Sequence, residues 1–124
     1  MTAPFRLAVL AVALVLAAAV ARAQEAAIGE WDMTTVSPVG TSTSTLVIKK
    51  DGEKIVAVGK SPNGERPYDS IKVDGKDITL VITIQYEGSP MTITYVGEIT
   101  KDGMGGAADF GGLAQGTWSA VAHK

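Results

Sequence analysis

Residues 77–100 constrain the fold of this chain more than any other stretch. They read Asp-Ile-Thr-Leu-Val-Ile-Thr-Ile-Gln-Tyr, then Glu-Gly-Ser-Pro, then Met-Thr-Ile-Thr-Tyr-Val-Gly-Glu-Ile-Thr, two alternating segments about one turn. Ile78, Leu80, Ile82, Ile84 and Tyr86 share one face of the first segment, and Met91, Ile93, Tyr95, Gly97 and Ile99 share one face of the second. Side chains alternate with period two along a strand, so the pattern predicts a β-hairpin with one face buried. A turn centred on Gly88-Ser89 pairs Ile84 with Ile93, Ile82 with Tyr95, Leu80 with Gly97 and Ile78 with Ile99. Thr83 then faces Thr94, and Val81 faces Val96, on the outer side. A one-residue slip would turn every inward isoleucine towards water.

The same reading extends along the chain. Further strands are expected at 29–36, 41–50, 53–60, 65–73, 104–110 and 116–123. Asp51-Gly52 supplies a tight turn that sets Ile48 against Ile55, Leu46 against Ala57 and Lys50 against Glu53. Asp74-Gly75 sets Ile71 against Ile78 and Lys72 against Asp77, and Asp102-Gly103 makes a further turn. Pro67 lacks an amide donor, which makes 65–73 the weakest strand of the set. Asp69 points inward in that register unless a bulge near Pro67 turns it out to the rim. Eight strands joined by short turns must leave two bare edges or close, and eight is the number at which side chains just fill a closed interior. The expected fold is all-β, an eight-stranded antiparallel up-and-down meander closed into a small barrel, with a two-layer β-sandwich as the alternative.

Before these strands, Arg6 precedes fifteen apolar residues, 7–21, and an Ala21-Arg22-Ala23 site follows. That order describes a secretory signal peptide over 1–23, too short for the roughly 20 apolar residues of a membrane span. The mature chain, 24–124, is expected to be one β domain, exported to the periplasm or the extracellular space, monomeric and free of the membrane. Loss of Arg6 and Arg22 leaves nine basic against thirteen acidic residues, a formal charge of −4. Nucleic acid is therefore not an expected partner. No cysteine is present, so lipid attachment at an N-terminal cysteine is excluded and the core alone must hold the domain.

Gly29-Glu30-Trp31 in the first strand and Gly116-Thr117-Trp118 in the last would be neighbours in a closed barrel. A first-strand Gly-x-Trp in an eight-stranded meander resembles the calycin group, the lipocalins and avidin-like proteins. The resemblance implies that the first-strand Trp closes the barrel floor beneath a basic residue near the end of the last strand. Here His123 and Lys124 alone could take that part, and the usual Arg is missing. The runs at 46–52, 73–76 and 111–119 are also similar to small exported bacterial β domains, found alone or appended to secreted hydrolases, whose function is mostly unassigned.

Chemistry-bearing motifs are sparse. There is no cysteine nucleophile, no Gly-x-Ser-x-Gly elbow, no phosphate-binding Gly-x-x-x-x-Gly-Lys loop and no paired-histidine metal motif. Glu30, Glu98 and Asp109 fall outward in the expected registers, and the Asp-Gly turns are too short to supply six oxygen ligands to calcium. Neither an enzyme nor a cofactor or metal site is expected. The expected interior is apolar, with large residues on the 77–100 hairpin facing Gly and Ala of the last two strands. Trp31, Met33, Ile82, Ile84, Tyr95, Phe110 and Trp118 are the candidate residues for a small apolar ligand inside it. The alternative is a filled core serving a structural or protein-interaction module, docked to a secreted partner through Val47, Val56, Val58, Val81 and Val96 on the outer face.

Overall fold

The structure is a computed structural model that describes residues 25–62 and 64–123. The expected signal peptide, 1–23, and Lys124 lie outside these residues. A single helical turn at 25–27 leads into nine strands: β1 (Gly29–Ser37), β2 (Gly40–Asp51), β3 (Lys54–Ser61), β4 (Gly64–Pro67), β5 (Ser70–Asp74), β6 (Asp77–Tyr86), β7 (Ser89–Thr100), β8 (Gly103–Phe110) and β9 (Ala114–Ala122). They form one antiparallel sheet in the order β4-β3-β2-β1-β9-β8-β7-β6-β5. That order is linear, with no ladder between β4 and β5.

The expected strand at 65–73 is two strands, which makes nine rather than eight. Pro67 offers no N–H to a ladder, and the chain changes partner just beyond it. The Tyr68 amide donates to Ala57 O on β3, at 2.9 Å, while the next amide, Asp69, donates to Val81 O on β6, at 2.7 Å. This step also resets the alternation. Tyr68 turns inward, and Asp69 turns out to solvent, where the Thr83 hydroxyl donates to its carboxylate at 2.6 Å. Ile71 and Val73 then resume the buried face.

The faces of the 77–100 hairpin are as the alternation requires, but its register differs by two residues. Ile84 pairs with Met91, Ile82 with Ile93, Leu80 with Tyr95 and Ile78 with Gly97, and outside them Thr83 faces Thr92 and Val81 faces Thr94. The turn is Glu87-Gly88, with φ of 52° and 82°, so glycine takes the second position of an I′-like turn and Glu87 accepts a left-handed conformation. The other tight turns shift in the same way. Ile48 pairs with Ala57 and Lys50 with Ile55 around Gly52-Glu53, and Ile71 pairs with Leu80 around Gly75-Lys76. In both, glycine stands first in the turn at positive φ. The next turn is Lys101-Asp102, with Gly103 paired to Thr100. A two-residue shift preserves every inward side chain, which is why the pattern alone could not detect it.

Three turns share one plan. Ser37, Ser61 and Thr100 stand just before a two-residue turn and donate their hydroxyls to the carbonyls of Gly40, Gly64 and Gly103 just after it. Each side chain clips the mouth of its own turn.

One core lies on the buried face. It contains Ala27, Met33, Leu46, Ile48, Ala57, Val73, Ile78, Leu80, Ile82, Ile93, Tyr95, Met104, Ala108, Trp118 and Ala120, with Trp31, Ile55, Tyr68, Ile71, Ile84, Ile99 and Phe110 packed against it. The sheet curls strongly enough for Tyr68, between β4 and β5, to donate to Met33 Sδ on β1 at 3.6 Å and to pack against Tyr95 on β7, ring centroids 6.3 Å apart. Tyr95 in turn meets the edge of Trp118 on β9 at 5.8 Å. Of the five valines expected outside, Val96 is exposed, and Val47, Val56, Val58 and Val81 are half-buried.

Candidate functional site

Antiparallel order puts the β1–β2, β3–β4, β6–β7 and β8–β9 turns at one end of the sheet. The helical turn at 25–27 and the β2–β3, β5–β6 and β7–β8 turns lie at the other. The two ends differ in chemistry. At the second end the core is plugged. Ala27 is wholly buried, and the Trp31 indole N–H donates to its carbonyl at 2.9 Å. Nearby, His123 Nδ1 lies 2.6 Å from Asp32 Oδ1, and the His123 amide donates to Glu30 O, tying the last residues to β1. The carboxylate of Asp32, through its hydrogen bond and its charge, holds the imidazole pKa above the ordinary 6.5. Any stability from this contact is present below pH 6.5 and lost as pH rises through the raised value. An NMR titration of His123 should have its midpoint above 6.5 and fall back in Asp32→Asn; an unchanged midpoint would mean that Asp32 is not its partner.

In the middle of the core, glycine makes room for tryptophan. Gly106 pairs with both Gly97 and Trp118, so the Trp118 indole lies across β8 where no Cβ obstructs it. Its N–H donates to Val96 O, two strands away, at 3.1 Å. Burial pushes the phenol pKa of Tyr68 up, and the neighbouring Tyr95 raises it further. Burial raises Tyr95 as well, with the Thr35 hydroxyl bond pulling the other way. Both phenols are therefore neutral hydrogen-bonding groups near pH 7.

The first end is open. A cleft of about 350 Å³ is lined by Ile84, Tyr86, Met91, Ile93, Tyr95, Phe110, Leu113 and Ala114 on one side and by Thr35, Ser37, Pro38, Val39 and Ser42 on the other. One wall is apolar and aromatic, and the facing wall carries three hydroxyls. Val39 and Leu113, at the turn tips beside it, are 90% and 80% exposed, so its rim is apolar too. A second cleft of about 300 Å³ shares Ile84, Ile93 and Tyr95 and continues past Ile82, Ser44, Gly59, Arg66 and Tyr68. Three larger depressions, of about 540, 520 and 380 Å³, lie over the polar side chains at β1–β2, over the glycines of β8 and beside Pro90, Thr92 and Gly111, and the first two are the most open.

The seven candidate residues thus divide. Ile84, Tyr95 and Phe110 line the main cleft, and Ile82 lines the second. Trp118 and Met33 are buried beneath, and Trp31 belongs to the plugged end. Thr35, Ser42, Leu113, Arg66 and Tyr68 are cleft residues that alternation could not find: the polar Thr35 and Ser42 read as rim, Leu113 sits in a turn outside any strand, and the parity change at Tyr68 hides Arg66 and Tyr68. Among the described residues no three of His, Asp and Glu gather in one place. Neither the protein-family models nor the curated proteins include a match to this chain.

Proposed function

We propose that the domain is an exported, non-catalytic carrier or receptor for a small apolar molecule, bound at the open end of a calycin-like barrel. The observation that carries this reading is the cleft of about 350 Å³ with an apolar wall and apolar rim, within the size range of small-molecule sites. Barrel closure is part of the proposal. The consecutive Tyr68 and Asp69 amides, bonded to β3 and β6, bring the strands next to the two ends of the linear order within one peptide step of each other.

The test uses N-phenyl-1-naphthylamine, a neutral fluorophore that brightens in apolar surroundings. Titrated against residues 24–124, it should give a saturable signal at one site per chain. Ser42 is exposed and lines the cleft, so Ser42→Trp should fill the mouth without disturbing the core. Binding should weaken at least tenfold in that variant, with the thermal midpoint unchanged. An unsaturable signal, or a Ser42→Trp protein that binds like the parent, would remove the cleft from consideration.

The exposed Val39 and Leu113 favour one other reading, a protein-interaction module that presents this rim to a secreted partner. That reading gives no saturable small-molecule signal.

A further inference from the structure

Arg66 stands where an apolar site has no need of a cation. Its register partner is Gly59, and it is two residues from the inward Tyr68, so its side chain leaves β4 on the same side as Tyr68. It lines the second cleft with Ile82, Ile84, Ile93 and Tyr95. Gly59 opposite it carries no side chain on that face.

The charges around it are unequal. Lys60 Nζ lies 3.7 Å from Glu65 Oε1, so that cation already has its counterion. Among the described residues Arg66 forms no ion pair. The phenols of Tyr68 and Tyr95 are held neutral and offer it no negative charge. Lys60 and Glu65 line the same cleft and offset each other, which leaves the Arg66 cation as its net charge.

Building on the binder reading above, we propose that the open end takes an anionic amphiphile, a monocarboxylate whose apolar body lies against Ile84, Ile93 and Tyr95 and whose oxyanion meets the Arg66 guanidinium. The planar guanidinium suits a two-oxygen anion, because two parallel N–H groups can donate to both oxygens at once. Arg66 is exposed, so it remains hydrated when the cleft is empty and contributes the modest amount of a solvent-facing ion pair when filled.

Two probes with one ring skeleton separate charge from apolar contact. 1-Anilinonaphthalene-8-sulfonate carries an oxyanion, and N-phenyl-1-naphthylamine lacks it. The parent protein should bind the sulfonate more tightly, and decanoate should displace it at lower concentration than decanol. Arg66→Gln should weaken sulfonate binding about fivefold, the size of an exposed ion pair, while leaving the neutral probe and the thermal midpoint unchanged. Arg66→Lys should recover part of the loss, and added salt should shrink the difference. Equal affinities for the two probes, or an Arg66→Gln protein that holds the sulfonate like the parent, would overturn the proposal while the apolar site stands. Parallel loss of both probes in Arg66→Gln would assign the residue to cleft shape and overturn the charge role. Failure of either probe to saturate the parent would end the underlying binder reading and this proposal with it.

Discussion

Leu80→Asp is expected to leave the domain unfolded at 25 °C. Leu80 is wholly buried, at the centre of β6, with Tyr95 opposite it on β7 and Ile71 opposite it on β5. An aspartate there must bury a charge without a partner or hold a proton at neutral pH, and it also removes the packing of a core leucine. Leucine truncation alone costs about 2–5 kcal/mol, and small domains hold only about 5–15 kcal/mol in total. Far-UV circular dichroism with urea titration checks this. A cooperative transition near that of the parent would mean that position 80 does not face the core.

Gly106→Ala should cost about 3 kcal/mol or more, although it adds a single methyl group. A Cβ at 106 would run into Val96 O and lie 2.6 Å from Gly97 Cα, both backbone atoms of β7. Backbone cannot rotate aside as a side chain can, so β7 and β8 would have to part, at the upper end of the usual overpacking penalty or beyond it. The same movement would displace Trp118, whose indole N–H is bonded to Val96 O. A lowered urea midpoint and a red-shifted tryptophan emission are expected together. A protein with the parent's midpoint would mean that the two strands are not this close.

Side-chain alternation made the all-β class and the buried face legible from the residues alone. Ile78, Leu80, Ile82 and Ile93 all lie in the core as their spacing requires. Register was legible only modulo two. The isoleucines cannot distinguish Ile82 opposite Tyr95 from Ile82 opposite Ile93, and the choice falls to whether Glu87 will take positive φ ahead of Gly88. The ninth strand was half legible, since Pro67 marks where a ladder must weaken but not that Tyr68 would swing inward. For the cleft, Ile84, Tyr95 and Phe110 followed from alternation. The hydroxyl wall of Thr35, Ser37 and Ser42 did not, because polar residues at the mouth of a cleft have the same pattern as polar residues on a surface. Arg66 escaped for a related reason. Its inward direction depends on pairing with Gly59, which is a property of the turn rather than of any local pattern.

The pairing of β1 with β9, from Trp31–Ala122 to Val36–Thr117, has a kinetic meaning. Every other ladder joins strands that are neighbours in the chain, so those hairpins can zip in sequence, each closing a loop of a few residues at little entropic cost. The β1–β9 ladder must bring together segments from opposite ends of the domain and becomes cheap only once the intervening strands have shortened the search. Until it forms, β4–β1 and β9–β5 are two separate sheets whose β1 and β9 edges are bare in addition to β4 and β5, and crowding favours annealing with a second chain over annealing with itself. The acidic Glu30 and Asp32 on the late-pairing β1 put like charges on the edge that two such chains would have to bring together.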